Sequence, residues 1–257
     1  RNGKVNALVY SRSNGIVAGI EEVSLLLKDS KIKIKQFKKD GSKIKKGSKL
    51  FSLEGNEKNI LKLERSVLDI ISRMSGIATL TDELIRKVKG KIGIAPTRKT
   101  QWRYMDKKAV SVGGGLTHRL ALWESILIKD NHLAALKREG VKDVISVALD
   151  RAFNKKGNFI EIEVMNEKQA IKAASKFKES KLNVPFLIML DNMKPNLIKK
   201  VIKKLKSKRL YDHVLIEASG GITPDSILSY SKSGVDVVSL GYLTSASRSL
   251  DIKLVIT

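Results

Sequence analysis

The sequence predicts an α/β fold in two parts: a mixed α/β sandwich domain over residues 1–90, and an α/β barrel with parallel strands over residues 91–246. Residues 247–257 are expected to return to the first part. Three observations lead there. Short alternating or β-branched runs separated by turns fill the first fifty-odd positions. From Asn59 the apolar spacing changes to that of a helix. Beyond residue 91 a short apolar run, a polar residue and a lysine-rich helical stretch recur in that order, the rhythm of parallel strands joined by crossover helices.

Taken in order, residues 5–10, 15–18, 32–37 and 49–53 read as strands, with Asp40-Gly41 and Lys46-Gly47 marking turns. Ile60, Leu63, Val67, Leu68, Ile71 and Met74 share one helical face, and Ser75-Gly76 reads as the end of that helix. A second helix is expected over 80–88. In the barrel part, residues 92–95 lead to Thr97, Arg98 and Lys99, residues 126–128 to Lys129, and residues 159–162 to Glu163. Residues 186–190 lead to Asp191, residues 214–216 to Glu217 and Ser219-Gly220-Gly221, and residues 235–240 to Gly241. Polar groups gathered at carboxyl-terminal strand ends are what an α/β barrel presents at its active face. An open doubly wound sheet would show similar alternation. Fewer than eight strands are clear. Residues 247–257 alternate through Leu250, Ile252, Leu254 and Ile256 like one further strand.

The chemistry concentrates between Ala95 and His132, which holds two of the three histidines, with Arg98, Lys99, His118, Arg119 and Lys129. Arginine forks, lysines and an imidazole beside the glycines at 113–115 suit an anion carrying several carboxylates or phosphates. A solvated basic loop would carry the same charge, but Lys129 at the end of a buried strand needs a partner. His132 is read as a structural histidine bonded to backbone and is left out of the site. The Glu161-Ile162-Glu163 alternation reads either as the wet face of a strand or as a source of site carboxylates; Glu163, nearer the exit, is preferred for the site, with Glu161 as second choice. Ser219-Gly220-Gly221, followed by Pro224, reads as a turn opening a helix whose free N–H groups can cradle a phosphate.

Length and composition narrow the classes. The chain of 257 residues can bury a substantial core. Without cysteine it has neither disulfide nor thiolate chemistry, and the cytoplasm is the expected compartment. No run has membrane-spanning length. The net charge of +24 raises a nucleic-acid reading, but the lysines are scattered and aromatic residues make up only 5%, leaving little to stack bases upon.

Thr97-Arg98-Lys99-Thr100, Gly113-Gly114-Gly115 with His118-Arg119, Leu127-Ile128-Lys129-Asp130-Asn131-His132, and the helix running from Glu64-Arg65 to Ser75-Gly76-Ile77-Ala78-Thr79 together resemble quinolinate phosphoribosyltransferase over nearly the whole chain. The resemblance implies an incomplete barrel and transfer of phosphoribosyl from 5-phosphoribosyl 1-pyrophosphate to quinolinate with decarboxylation. It implies that Thr97, Arg98, His118 and Arg119 bind quinolinate, joined by Arg65 from the partner subunit of a homodimer or higher homo-oligomer. Lys99, Lys129, Glu163 and Asp191 are the expected catalytic residues. Glu163 and Asp191 hold ribose and Mg²⁺ through water, and Ser219, Gly220, Gly221 and Gly241 hold phosphate. The sequence departs from the family pattern at Pro96, at Gln101-Trp102-Arg103, and at Ala121 and Glu124. The second departure lies beside Arg98 and bears on substrate identity. Rival readings are a same-fold enzyme for another acid, such as nicotinate or that of a molybdenum-transport-associated relative, and a basic nucleic-acid-binding protein on a degenerate barrel.

Overall fold

A computed structural model describes residues 3–257 of the chain. They divide into two compact units, the first holding residues 3–85, Lys99–Thr117 and Tyr242–Thr257, the second Arg86–Arg98 and His118–Gly241. The division differs from a simple break at residue 90, because 99–117 cluster with the first unit.

The elements of the first unit begin with β1 (Lys4–Ser11), β2 (Gly15–Ile16) and α1 (Ile20–Leu27), then β3 (Lys33–Gln36), β4 (Lys43–Ile44), β5 (Lys49–Asn56) and α2 (Glu57–Lys87). The barrel unit supplies β6 (Gly93–Pro96), and α3 (Arg103–Val112) belongs again to the first. Then come β7 (Ile126–Ile128), α4 (Asp130–Arg138), α5 (Val144–Phe153), β8 (Ile160–Val164), α6 (Glu167–Glu179), β9 (Phe186–Asp191), α7 (Pro195–Ser207), β10 (Leu215–Ser219), α8 (Ile227–Ser231), β11 (Val237–Leu240), α9 (Tyr242–Ser245) and β12 (Ile252–Ile256).

In the first unit β12-β1-β5-β3 form one sheet, with β12 antiparallel to β1. Its apolar face, including Val9, Leu50, Phe51, Leu53 and Leu254, packs in one core with Ile60, Val67 and Ile71 of α2. That helix corrects the sequence reading. Ser75-Gly76 does not end it, and it runs unbroken through the segment expected to hold a separate second helix. Gly76 is needed for closeness instead: a Cβ there would sit 2.1 Å from the Arg248 carbonyl oxygen. The glycines at 113–115 are reinterpreted on the same ground. A Cβ on Gly113 would fall 2.4 Å from the Ala78 carbonyl, so it serves packing against α2, and Gly114 turns at φ +89. Helices α1 and α3, of eight and ten residues, were not read from the sequence, each being too short to repeat its apolar spacing over many turns. Among the described residues no helix is long and apolar enough to cross a membrane.

Asp106, fully buried on α3, ties this unit together. It accepts from Arg73 Nε at 2.7 Å and Nη2 at 2.8 Å, from the Trp102 amide at 3.2 Å, and from the Thr100 hydroxyl. The Arg73 guanidinium also lies 5.5 Å from the Trp102 ring centroid and donates to the Thr244 carbonyl, while Thr244 Oγ1 donates to the Lys99 carbonyl at 2.8 Å. Burial pushes the Asp106 carboxyl up, but these hydrogen bonds and the Arg73 charge overcome it and hold the group below the usual carboxylate range. Asp106→Ala strands a mostly buried guanidinium and should cost about 3 kcal/mol in urea unfolding at neutral pH. A depressed folded pKa contributes stability above the unfolded value near ~3.8 and loses it as pH falls through the folded one. The gap between wild type and variant should therefore close below about pH 4.

In the second unit the parallel sheet runs β6-β11-β10-β9-β8-β7. Apart from its opening between β6 and β7 this is sequential barrel order, without the reversal of a doubly wound sheet. The fold is α/β with an incomplete barrel.

Candidate active site

Register sorts the strand residues by face. Glu161 pairs with Leu127 and Leu187, Glu163 with Met189, Glu217 with Met189 and Val237, and Ser219 with Asp191 and Ser239. Paired positions share a sheet face, and alternate residues on a strand share it too. Glu161, Glu163, Asp191, Glu217 and Ser219 therefore all point to one side. Ile160, Ile162, Ile188, Ile216, Ala218 and Val238 point to the other, where all are buried. The wet-face reading of the Glu161-Ile162-Glu163 alternation holds for neither carboxylate: Glu161 is 0% and Glu163 8% exposed. The sheet face that reads as polar in sequence is the inside of the barrel.

The outer layer is at the strand exits. Lys129, the residue before α4, places its Nζ 2.8 Å from Glu163 Oε2. His132 accepts the Lys129 amide through Nδ1 at 2.8 Å, capping α4. At the end of β9 Asp191 accepts from the Asn192 side chain at 2.5 Å. Asn192 also sets the shape of the neighbouring turn, since a Cβ on Gly220 would fall 2.3 Å from its Oδ1. Gly220 and Gly221 both take positive φ, +92 and +60, and Ser219 Oγ accepts from Ser239 Oγ at 2.9 Å. Helix α8 does not open at this turn. Pro224 lies three residues ahead of Ile227, its first residue, because Thr223 and Ser226 first close a hydrogen-bonded turn of their own. Gly241 follows β11, and a Cβ there would stand 3.5 Å from Thr97 Oγ1.

The cationic part lies at residues 98 and 118–119. Arg119 is 5% exposed; burial and the neighbouring Arg98 charge lower its pKa, and Nη1 donates to the Ser125 carbonyl at 3.3 Å. Arg98 Nε is buried without a hydrogen-bond partner. A buried guanidinium that feels a second like charge carries a cost that a bound anion would offset. Lys99 clusters with the first unit, as does Arg65, whose side chain is 79% exposed and pairs loosely with Asp69 at 3.5 Å.

Beneath them sits a group that sequence reading did not assemble. His118 Nε2 is 3.2 Å from an oxygen of Glu161 and 3.2 Å from one of Glu217, both fully buried. Nδ1 accepts the Arg119 amide at 2.8 Å. Burial works against charging the imidazole, but Glu161 and Glu217 outweigh it and carry its pKa up to about 9. Burial and then the Glu217 charge lift Glu161 to about 7. The two views of the ring conflict in part, since a proton on Nδ1 would displace the Arg119 amide. A proton on Nε2 is common to both. Among the described residues this is the one group of three with metal-ligand spacing, but it lacks the all-oxygen character that Mg²⁺ favours. Glu163 and Asp191, two carboxylates at the strand exits, fit that ion better, since Mg²⁺ uses one or two carboxylates with water and substrate phosphates. Only Glu217, standing two residues before the Ser-Gly-Gly turn, gave a sequence signal for the third member.

Comparison with known proteins agrees along the whole chain. The family model described as quinolinate phosphoribosyl transferase, C-terminal domain, matches residues 77–255, and that of the N-terminal domain matches residues 1–75. A probable carboxylating nicotinate-nucleotide pyrophosphorylase of Methanothermobacter thermautotrophicus is 38% identical over 99% of this chain and 89% of its own length. One from Archaeoglobus fulgidus is 36% identical over 97% of this chain and 93% of its own length. The solved nicotinate-nucleotide pyrophosphorylase of Ehrlichia chaffeensis superposes with a TM-score of 0.84 at 34% identity, covering all of this chain and 89% of that one.

Proposed function

The chain belongs to the quinolinate phosphoribosyltransferase family, and we propose that it binds the two carboxylates of quinolinate on Arg98 and Arg119 and uses Mg²⁺ with 5-phosphoribosyl 1-pyrophosphate. The reaction is a decarboxylating pentosyl transfer of NAD biosynthesis. The pyridine nitrogen bonds to ribose C1 as pyrophosphate leaves. The carboxylate beside that nitrogen departs as carbon dioxide, a proton takes its place, and nicotinate mononucleotide results. The observation that carries the reading is the buried Arg119 under the influence of the Arg98 charge, with Arg98 Nε itself buried and lacking an acceptor, which suits a planar dianion.

Glu163 and Asp191 would hold the ribose hydroxyls and a hydrated Mg²⁺. When bound, that ion neutralises developing charge on the leaving pyrophosphate. Lys129, now on Glu163, lies within reach of the pyrophosphate once a substrate separates the pair. The turn at Ser219, Gly220 and Gly221, with Gly241, holds the 5-phosphate on backbone N–H groups. Lys99 contacts substrate, and Arg65 enters the site of a partner subunit in a homodimer or larger assembly. The compartment is the cytoplasm.

Supplied with quinolinate, 5-phosphoribosyl 1-pyrophosphate and Mg²⁺, the protein should release carbon dioxide and pyrophosphate in equal amounts. Turnover of nicotinate with pyrophosphate but no carbon dioxide would move the assignment to another acid.

A further inference from the structure

We propose that Glu161 and Glu217 are positioning residues of the quinolinate site: from inside the barrel they share the Nε2–H of His118, which leaves Nδ1 to hold the Arg119 amide and thereby sets Arg119. The proposal rests on the reading of Arg119 as a quinolinate ligand. Its evidence is a chain of contacts within the second unit. Both glutamates are fully buried, and apart from His118 neither carboxylate has a hydrogen-bond partner among the described residues. The imidazole meets them at equal distances of 3.2 Å, at ion-pair range without a straight hydrogen bond to either. One N–H pointing between two acceptors gives that geometry.

The ring is fixed from other directions as well. Its plane stands at 88° to the Phe159 ring with centroids 5.4 Å apart. His118 takes a left-handed backbone, φ +55, which a non-glycine residue keeps only where its surroundings hold it. Its other nitrogen accepts from the next residue's amide at 2.8 Å. A neutral imidazole that accepts at Nδ1 must carry its proton on Nε2. That is also why the three side chains do not form a metal site despite their spacing, because a ligating Nε2 gives its proton up to Nδ1. The glutamates thus fix the tautomer and the ring, the ring fixes the Arg119 backbone, and neither glutamate needs to touch substrate.

Two measurements on the full chain test this. The first uses wild-type protein labelled with ¹⁵N-histidine. Three histidines make the spectrum tractable, and His118→Asn identifies the relevant one. The His118 Nε2–H should appear protected from exchange with water, with or without quinolinate. An unprotonated Nε2 would overturn the proposal, whether through the other tautomer or through metal. The second is kinetic. Glu161→Leu and Glu217→Leu should each raise the quinolinate KM roughly tenfold or more and leave the KM for 5-phosphoribosyl 1-pyrophosphate within about twofold. Glu217→Gln, which keeps an acceptor oxygen, should recover most of the loss. Unchanged quinolinate KM in both leucine variants, or equal rises for both substrates, would also overturn it. If the leucine variants fail to fold, the wild-type spectrum and the glutamine variant decide. Failure of wild-type protein to turn over quinolinate would instead defeat the functional reading on which the proposal rests.

Discussion

Arg119→Ala should weaken quinolinate by about 2–4 kcal/mol, roughly 30- to 1000-fold, while the affinity for 5-phosphoribosyl 1-pyrophosphate changes little. The size follows from burial. Arg119 is nearly inaccessible and its neighbour Arg98 is buried at Nε, so a carboxylate placed there has given up its water. Deleting one fork leaves that carboxylate short of donors in a desolvated pocket, which costs far more than losing an exposed ion pair. Asp191→Ala is the matched control at the opposite end of the site, and it should impair the phosphoribosyl substrate and the Mg²⁺ requirement while sparing quinolinate binding. Calorimetric titration of each variant with each substrate separates the two. Equal losses for both substrates in both variants would mean that the site is not partitioned this way.

The second large effect concerns the proposed shared site. Arg65→Ala and Lys129→Ala should each be nearly inactive as pure proteins. Mixed, dissociated and allowed to reassociate, they should recover activity, because a hybrid dimer contains one site free of both lesions. With random pairing about half the dimers are hybrids, each with one sound site of two, so recovery should approach ~25% of wild type. Arg65 stands on the long helix α2, largely exposed and loosely paired with Asp69 one turn away. Were Arg65 to serve its own chain, both sites of every hybrid would stay damaged, and a flat baseline after verified subunit exchange would reject the shared site.

The barrel was legible because several of its strands carry, at or beside their carboxyl ends, a residue that a buried strand does not ordinarily hold. Asp191 closes β9, Glu163 stands one residue before the end of β8, and Lys129 and Gly241 directly follow β7 and β11. What failed were inferences from one residue type at one position. Gly76 reads as a helix stop and Glu161 as a wet position, and both readings are sound statistics about isolated segments. At Gly76 the Arg248 backbone removes the room for any side chain. At Glu161 the inside of a barrel replaces the solvent that a lone strand would face.

By itself, then, the sequence determined the fold class, the family and the cations and carboxylates at the strand ends, since periodicity and short motifs are local properties that survive in the unfolded chain. Tertiary structure alone decided which groups meet. His118, Glu161 and Glu217 lie 43 and 56 positions apart along the chain, and no local pattern joins them; only the neighbouring registers of β8, β9 and β10 bring both carboxylates to one imidazole. The same holds for Arg73 and Asp106, a surface-type charge on one helix and another on a helix too short to see, which become a buried pair because α2 and α3 pack. Burial, which raises the cost of an unpaired charge far above its cost in water, is a property of the assembled core and is not written at any single position.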